Sequence, residues 1–333
     1  MPPAPEAGSL DDALRALRQD HRNVALPGLF ACWVGIFALL LLPRWLGPMH
    51  LLWGLPLLGV LQYRLVISGH EAVHRTLAWP EWLNELLGVA GQAMVGVSFT
   101  AYRLQHLDHH RARSLDDDPD GHIYGTVIRA KPGLQRFLVL TLGTLVELVI
   151  KIRQKGTGGF GDREKHPPEV NRRKLRDSAL VVLTQLSLIA LCAWSLDAWW
   201  AYGLLWIAPL FTVAVFLNRC RIVVEHGLAH QVAAGLPGGL QAYGGPRIPT
   251  VDIVPHPLEA WLLAPYAFHY HCCHHLFMAV PHYNLPAVRD LLRAHQTSGY
   301  HEVQGSYLSA LRRVVSAPVW PAKAPQPGPA LPN

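Results

Sequence analysis

Gly69-His70-Glu71-Ala72-Val73-His74 closes a long apolar run, and its reading decides where the rest of the chain must go. Two histidines four residues apart stand on one helical face, one turn above each other, so their ring nitrogens can share a ligand. The run beneath them, Met49 to Ser68, is apolar except for Gln62, Tyr63 and Arg64 near its end. Before it, Val24 to Leu42 is apolar over a length that crosses a bilayer, without the short core and small-residue cleavage site of a secretory leader. Pro43-Arg44-Trp45-Leu46-Gly47-Pro48 joins the two as a tight turn. A transmembrane hairpin is predicted, returning His70 and His74 to the side on which the N-terminal segment lies.

Composition supports that reading. Half of the 333 residues are hydrophobic and only 16% are charged, too few to cover an ordinary soluble domain of this length. The net charge of +6 follows the gaps between apolar segments and forms no stripe of Lys and Arg interleaved with aromatics, so nucleic acid is excluded as a partner. Five cysteines at 32, 192, 220, 272 and 273 have no zinc-ribbon or iron-sulfur spacing, and their odd number argues for reduced thiols.

Three regions are predicted: a flexible or amphipathic start (1–22), a membrane domain (23–315) and a Pro-rich disordered tail (316–333). Ser9 and Asp12 are placed as helix-start residues before a Leu/Ala stripe, which predicts a short helix on the membrane surface. Trp82 to Phe99 carries Asn84, Glu85 and Gln92, and 134–150 carries Gln135, Arg136 and Glu147; both read as interfacial helices. Gly156 to Pro168 reads as a polar loop. Ser178 to Leu196 and Ala198 to Leu217 form a second hairpin, with Trp199, Trp200 and Trp206 as an aromatic belt. A Gly/Pro-rich connection (235–257), a segment from Trp261 to His275 and a helix near Leu285 to His295 complete the chain. The spans are therefore 24–42, 49–68, 178–196 and 198–217, an all-α integral membrane architecture of two hairpins with interfacial helices. Of the 29 Lys and Arg, 15 lie between Arg103 and Arg176, whereas the two short turns on the other side hold only Arg44. By the positive-inside rule the 101–177 loop and both termini are cytoplasmic, and every histidine cluster falls on that side.

The 19 histidines carry the chemistry. His70 and His74 are i, i+4; His106, His109 and His110 are i, i+3, i+4; His271, His274 and His275 repeat that pattern. An isolated pair of this kind is ordinarily a surface or core pair. Three sets, each just outside a membrane segment and all on one side, converge on a metal site, because so many buried imidazoles would repel one another if protonated. A catalytic zinc uses three protein ligands, so eight imidazoles imply two metals. Imidazole suits Zn, Cu, Fe and Ni alike. Two irons beside a lipid pocket can attack an unactivated C–H bond, which acid, base or nucleophilic side chains cannot. Read literally, His70-Glu71-x-x-His74 is also the zinc metalloprotease signature, with Glu71 as base and an acid such as Asp120 as third ligand. That reading leaves six histidines unexplained and makes an intramembrane zinc protease the remoter alternative.

His70-Glu-Ala-Val-His74, His106-Leu-Asp-His-His110 followed by Asp118-Pro-Asp120, and His271-Cys-Cys-His-His275 followed by Leu276, Pro281 and Tyr283-Asn-Leu-Pro286 resemble the three histidine boxes of the membrane fatty acid desaturases. The likeness holds in order, spacing and topology from about residue 25 to 315. It implies four transmembrane helices capped by a cytosolic helical domain that holds a di-iron centre over an acyl tunnel. It also implies a ninth ligand just after the fourth span, His226, for which His230 is the rival. Asp108, Asp120 and Glu225 are then candidates to orient imidazole N–H groups, and Glu71 becomes a residue behind the ligands or facing solvent. His269 and His282 read as bystanders, Arg219 and Arg221 as interfacial charges. Cys272 and Cys273 depart from the family pattern at positions that are not ligands, which bears on substrate subtype.

The implied reaction removes two hydrogens from adjacent methylenes of an acyl chain, with O2 and two external electrons giving a double bond and water. No fused haem or iron-sulfur segment is recognisable, so a separate ferredoxin or cytochrome-type donor is expected alongside the acyl lipid. A lipid hydroxylase or carotenoid ketolase, built on the same boxes, is the nearer alternative.

Overall fold

Four helices among the described residues are long and apolar enough to cross a bilayer: Ala25–Leu46 (α2), Leu51–Val73 (α3), Pro168–Leu196 (α8) and Gly203–Ala233 (α9). The computed structural model describes residues 10–145, 166–235 and 248–317. The remaining helices are Leu10–Gln19 (α1), Glu81–Met94 (α4), Phe99–Arg111 (α5), Gly121–Arg129 (α6), Leu134–Leu145 (α7), Pro257–Leu263 (α10), His271–Leu276 (α11), Leu285–Ala294 (α12) and Tyr307–Ser316 (α13).

All four predicted spans are present, but three of them are longer than the apolar runs. α3 continues past Ser68 through Val73, and α9 continues past Leu217 through His226 and His230. α8 starts ten residues before Ser178, with Pro168 in its first turn, where a missing N–H costs nothing. Hydropathy marks where a helix leaves lipid, not where it stops, so polar extensions of a span are invisible to it. α3 and α9 also approach closely: a side chain on Gly59 would overlap Val213, which is how small residues let membrane helices pack. Leu29, Cys32, Ile36 and Leu40 of α2 face inward, whereas Phe30, Val34 and Phe37 face outward.

α4 and α5 form a hairpin that dips beside the spans and returns to the histidines. The turn end of α4 is held by Gln185 of α8, whose Nε2 donates to Ala93 O (2.7 Å) and Met94 O (2.9 Å). Such a bond satisfies helix-end carbonyls that lipid cannot. α5 is fixed at its start by Asp177 of α8, which accepts from the Thr100 backbone N–H (2.8 Å) and hydroxyl (2.7 Å).

α1 differs from its expectation. Its Leu10, Leu14 and Leu17 pack with Val288 and Leu292 of α12, so the stripe predicted to meet lipid meets protein. α7 turns Leu134, Phe137, Leu138, Leu142 and Leu145 outward, as an interfacial helix would, while Arg136 points inward. Its guanidinium donates to the carbonyls of Ile128, Ala130, Val314 and Ala317, closing the ends of α6 and α13. Glu147, most of the 156–168 loop, residues 236–247 and the tail after 317 lie outside the described residues.

The segment from Trp261 to His275 divides between two helices. Pro265 interrupts it, α10 ends at Leu263, and a tight turn at Pro265–Ala267 precedes α11. A two-stranded parallel pair, Asp252–Val254 (β1) and Glu302–Gln304 (β2), brackets the third histidine box. Three residues per strand leave no alternation long enough to read from sequence.

Candidate metal centre

Each histidine arrives on a helix whose sequence explains its position. His70 sits in the last turn of α3 and His74 at its C-terminal cap. α5 carries His106, His109 and His110, and its first turn is capped by the Ser98 hydroxyl, which accepts from Ala101 N–H. His226 lies where α9 widens into a π-helical turn over Val223–Leu228, a distortion that recurs at functional sites. α11 carries His271, His274 and His275, and Asp252 Oδ1 of β1 accepts the backbone N–H groups of Cys272 (2.6 Å) and Cys273 (3.1 Å).

The nine imidazoles divide into two groups: His70, His74, His106, His110 and His274 form one, and His109, His226, His271 and His275 form the other. Within each group the ligand atoms lie within 4.8 Å of one another. In the first, Nε2 of His106 is 2.8 Å from that of His74 and 3.0 Å from that of His110, which is 3.3 Å from that of His274. In the second, Nε2 of His271 is 2.9 Å from that of His226 and 3.1 Å from that of His275. The division cuts across each three-histidine box. The i, i+4 pair of each three-histidine box stays together, and the i+3 residue, His109 or His274, crosses to the other group. His110 stacks on His275 with ring centroids 4.2 Å apart, so the two groups share a wall.

Ring tautomers are set from behind. His109 Nδ1 bonds Asp118 Oδ1 (2.7 Å), His70 Nδ1 bonds Glu71 Oε1 (3.0 Å), and His226 Nδ1 bonds Pro249 O (3.3 Å). His271 Nδ1 lies 3.5 Å from Glu225 Oε2. With the proton held on Nδ1, the Nε2 lone pair faces the group's centre. The Nε2 of His70 is buried without a hydrogen-bond partner, as a ligand atom would be before its ion binds. Burial holds His74 at about 3 and His106, His110, His271, His274 and His275 well below the ordinary histidine pKa, so these rings stay neutral. Burial also pulls His109 down, but its bond to Asp118 and the charges of Asp120 and Asp118 outweigh that and raise it. An all-imidazole donor set in two groups fits two first-row transition ions.

His226 lies in the second group, and its rival His230 stacks on Tyr124 (5.6 Å) outside both groups. Asp108 is a correction. Its carboxylate points outward to Arg111 and is two-thirds exposed, because neighbours at i, i+1 do not share a helical face. Asp120 accepts from Gln105 and donates its backbone N–H to Asp118, so it supports an orienting acid and is not itself one. The missed acid is Asp118, which also accepts from the Tyr124 hydroxyl (2.7 Å). It sits in the loop after α5, where periodicity has no reach. Glu225 accepts from Arg221 and from the Tyr307 hydroxyl and lies 3.5 Å from His271 Nδ1 of the third box. Glu71 is buried; its Oε2 accepts from the Thr76 hydroxyl, and His282 Nδ1 lies 3.6 Å away. Arg219 and Arg221, expected at the interface, are both buried. Arg219 reaches Thr126 and the Val139 carbonyl, and Arg221 pairs with Glu225 (2.5 Å). Cys272 and Cys273 are buried outside both metal groups, and Cys273 Sγ donates to Asp252 Oδ2. His269 joins the chain to β1, its carbonyl accepting from Ile253 N–H.

Asp118→Asn keeps the shape behind His109 and removes the charge. It is expected to lower metal affinity about 10–100-fold, the usual cost of losing a ligand's hydrogen-bond partner, in a competitive chelator titration. Unchanged affinity would show that the Asp118 contact has no part in holding the ring.

The sequence profile of the fatty acid desaturase family matches residues 50–305, which contain every histidine of both groups. The chain belongs to the fatty acid desaturase family and is an oxidoreductase enzyme. It is 20% identical over 255 residues to an sn-1 acyl-lipid omega-3 desaturase (ferredoxin) of Nostoc sp., covering 73% of this chain and 67% of that one. It is 25% identical over 249 residues to a Delta(12) fatty acid dehydrogenase of Crepis alpina (68% and 63% covered). To an sn-1 oleoyl-lipid 12-desaturase of Anabaena variabilis it is 23% identical over 288 residues (81% and 74%). The chain thus spans roughly two thirds to three quarters of the length of these relatives.

Proposed function

We propose that this protein is a membrane-bound, O2-dependent di-iron desaturase that introduces a double bond into the acyl chain of a lipid. The observation that carries the reading is the division of nine imidazoles, eight of them buried and His74 half-buried, into groups of five and four that share a wall. Two irons held there would supply the oxidising power to remove hydrogen from an unactivated methylene, with O2 and two electrons consumed and water formed. The chain's own residues do the rest. Asp118 and Glu71 hold protons on the Nδ1 atoms of His109 and His70, and the burial of the rings keeps bulk water from the reacting carbon.

The donor of the two electrons is a separate protein of ferredoxin or cytochrome type, in keeping with the ferredoxin in the name of one relative. The histidine face and both termini lie on the cytoplasmic side, following the concentration of Lys and Arg between 103 and 176. Glu71 argues against the zinc-protease alternative. Its carboxylate sits at the Nδ1 edge of His70, on the far side of the ring from the metal-facing nitrogen, where a base could not reach metal-bound water.

Expression in a host of known lipid content, followed by mass spectrometry of its acyl chains, tests the reading. Loss of two hydrogens from a resident acyl species is expected. Gain of an oxygen would transfer the site to hydroxylation, and one zinc without iron in the purified protein would sink the di-iron centre.

A further inference from the structure

One aromatic hydrocarbon ring touches both histidine groups. Phe268 lies 4.4 Å from the ring of His70 and 6.1 Å from that of His274 in the first group, and 5.0 Å from that of His271 in the second. Tyr102 and Tyr124 each meet rings of one group, His106 and His226 respectively. The Arg221 guanidinium covers a face of Phe268, 3.9 Å from its centroid, and Phe268 is buried. The phenyl ring of Phe268 therefore borders both groups, where each tyrosine ring borders one.

The backbone is bent to put it there. Tyr266 (φ 59°) and Ala267 (φ 54°) occupy the left-handed region in succession, directly after Pro265, a conformation that non-glycine residues avoid. Such strain persists where surrounding contacts over-determine it, and it clusters at functional sites. Those contacts are present on both sides. The Tyr63 hydroxyl donates to Leu263 O (2.5 Å) and Arg64 to Trp261 O (3.0 Å) before the bend, and Ile253 N–H donates to His269 O (2.9 Å) after it. Tyr63 and Arg64 precede His70 on the same helix by about two turns, so this segment approaches the centre from the bilayer side. Leu258 and Trp261 face outward, as residues at a lipid boundary do.

We propose that Phe268 is a specificity-determining residue: the acyl chain lies against its ring, and the ring sets which methylene faces the gap between the two histidine groups. The proposal rests on the desaturase reading for its substrate class and on the position of the ring for its location.

Two measurements on the full-length protein test it. In the expression host, double-bond position is read from fragmentation of dimethyl disulfide adducts for the wild type, Phe268→Leu and Phe268→Ala. The wild type is expected to give one dominant isomer, and the variants to lose about tenfold or more of the selectivity between adjacent positions, the scale on which an apolar pocket discriminates one methylene. An unchanged isomer ratio in both variants would overturn the proposal. Separately, the purified protein loaded with Co(II) in lipid nanodiscs is titrated with oleate while its visible bands are followed. Wild type and Phe268→Leu are expected to bind equal cobalt, and the oleate midpoint to rise about tenfold or more in the variant. Identical midpoints would overturn the wall even if the host yields no product. An oleate response that depends on residue 268, in a wild type that forms no double bond, would keep the wall and sink the desaturase reading. If Phe268→Ala fails to bind cobalt, Phe268→Leu decides alone.

Discussion

Replacing His109 with alanine is expected to reduce product formation more than about a hundredfold, since losing only a ligand's hydrogen-bond partner already costs 10–100-fold. Metal content should fall from two ions per chain toward one. His109 is the box-two residue that leaves its helical neighbours and joins His226, His271 and His275, so the five-imidazole group survives its loss while the other is left with three. Activity and metal analysis are read on the same preparation. Substantial turnover with two ions still bound would show that His109 is dispensable. Turnover with a single ion would favour a mononuclear site.

Arg221→Met carries the largest expected stability effect. Arg221 is buried on α9, donates to Glu225 Oε2 (2.5 Å) and Asn218 Oδ1 (3.0 Å), and lies over the Phe268 ring. Removing it strands the Glu225 carboxylate in a place water does not reach, a change that costs about 3–5 kcal/mol. The thermal midpoint of the metal-free protein in detergent should drop sharply. Replacing both partners, Arg221→Met with Glu225→Gln, should recover most of the loss, because the penalty lies in the unpaired charge. A single variant as stable as the wild type would mean that the pair is solvated. A double variant no better than the single would place the effect in packing on Phe268 instead.

Much of this was legible beforehand, for identifiable reasons. Apolar length located the four spans, and the i, i+3, i+4 spacings located eight histidines, because both signals are periodic and local. What escaped was set by contacts between distant segments. Asp118 lies beyond the end of α5, so no helical rule connects it to His109, whereas Asp108, adjacent in sequence, turns out to face away. Arg219 and Arg221 read as interfacial charges because they follow an apolar run, yet α9 continues and carries them inside. The division of the boxes between two groups was equally hidden. A helical wheel shows which rings share a sector, but not that a second helix draws one of the three away.

The continuation of α3 past its apolar run has a consequence for where His70 and His74 stand. An α-helix rises about 1.5 Å per residue, so His74 stands about 35 Å along α3 from Leu51. The hydrocarbon of a bilayer is about 30 Å thick. A rod of that length is enough to carry its imidazoles just clear of such a layer. The working height is written into covalent spacing, not into the docking of a separate cap.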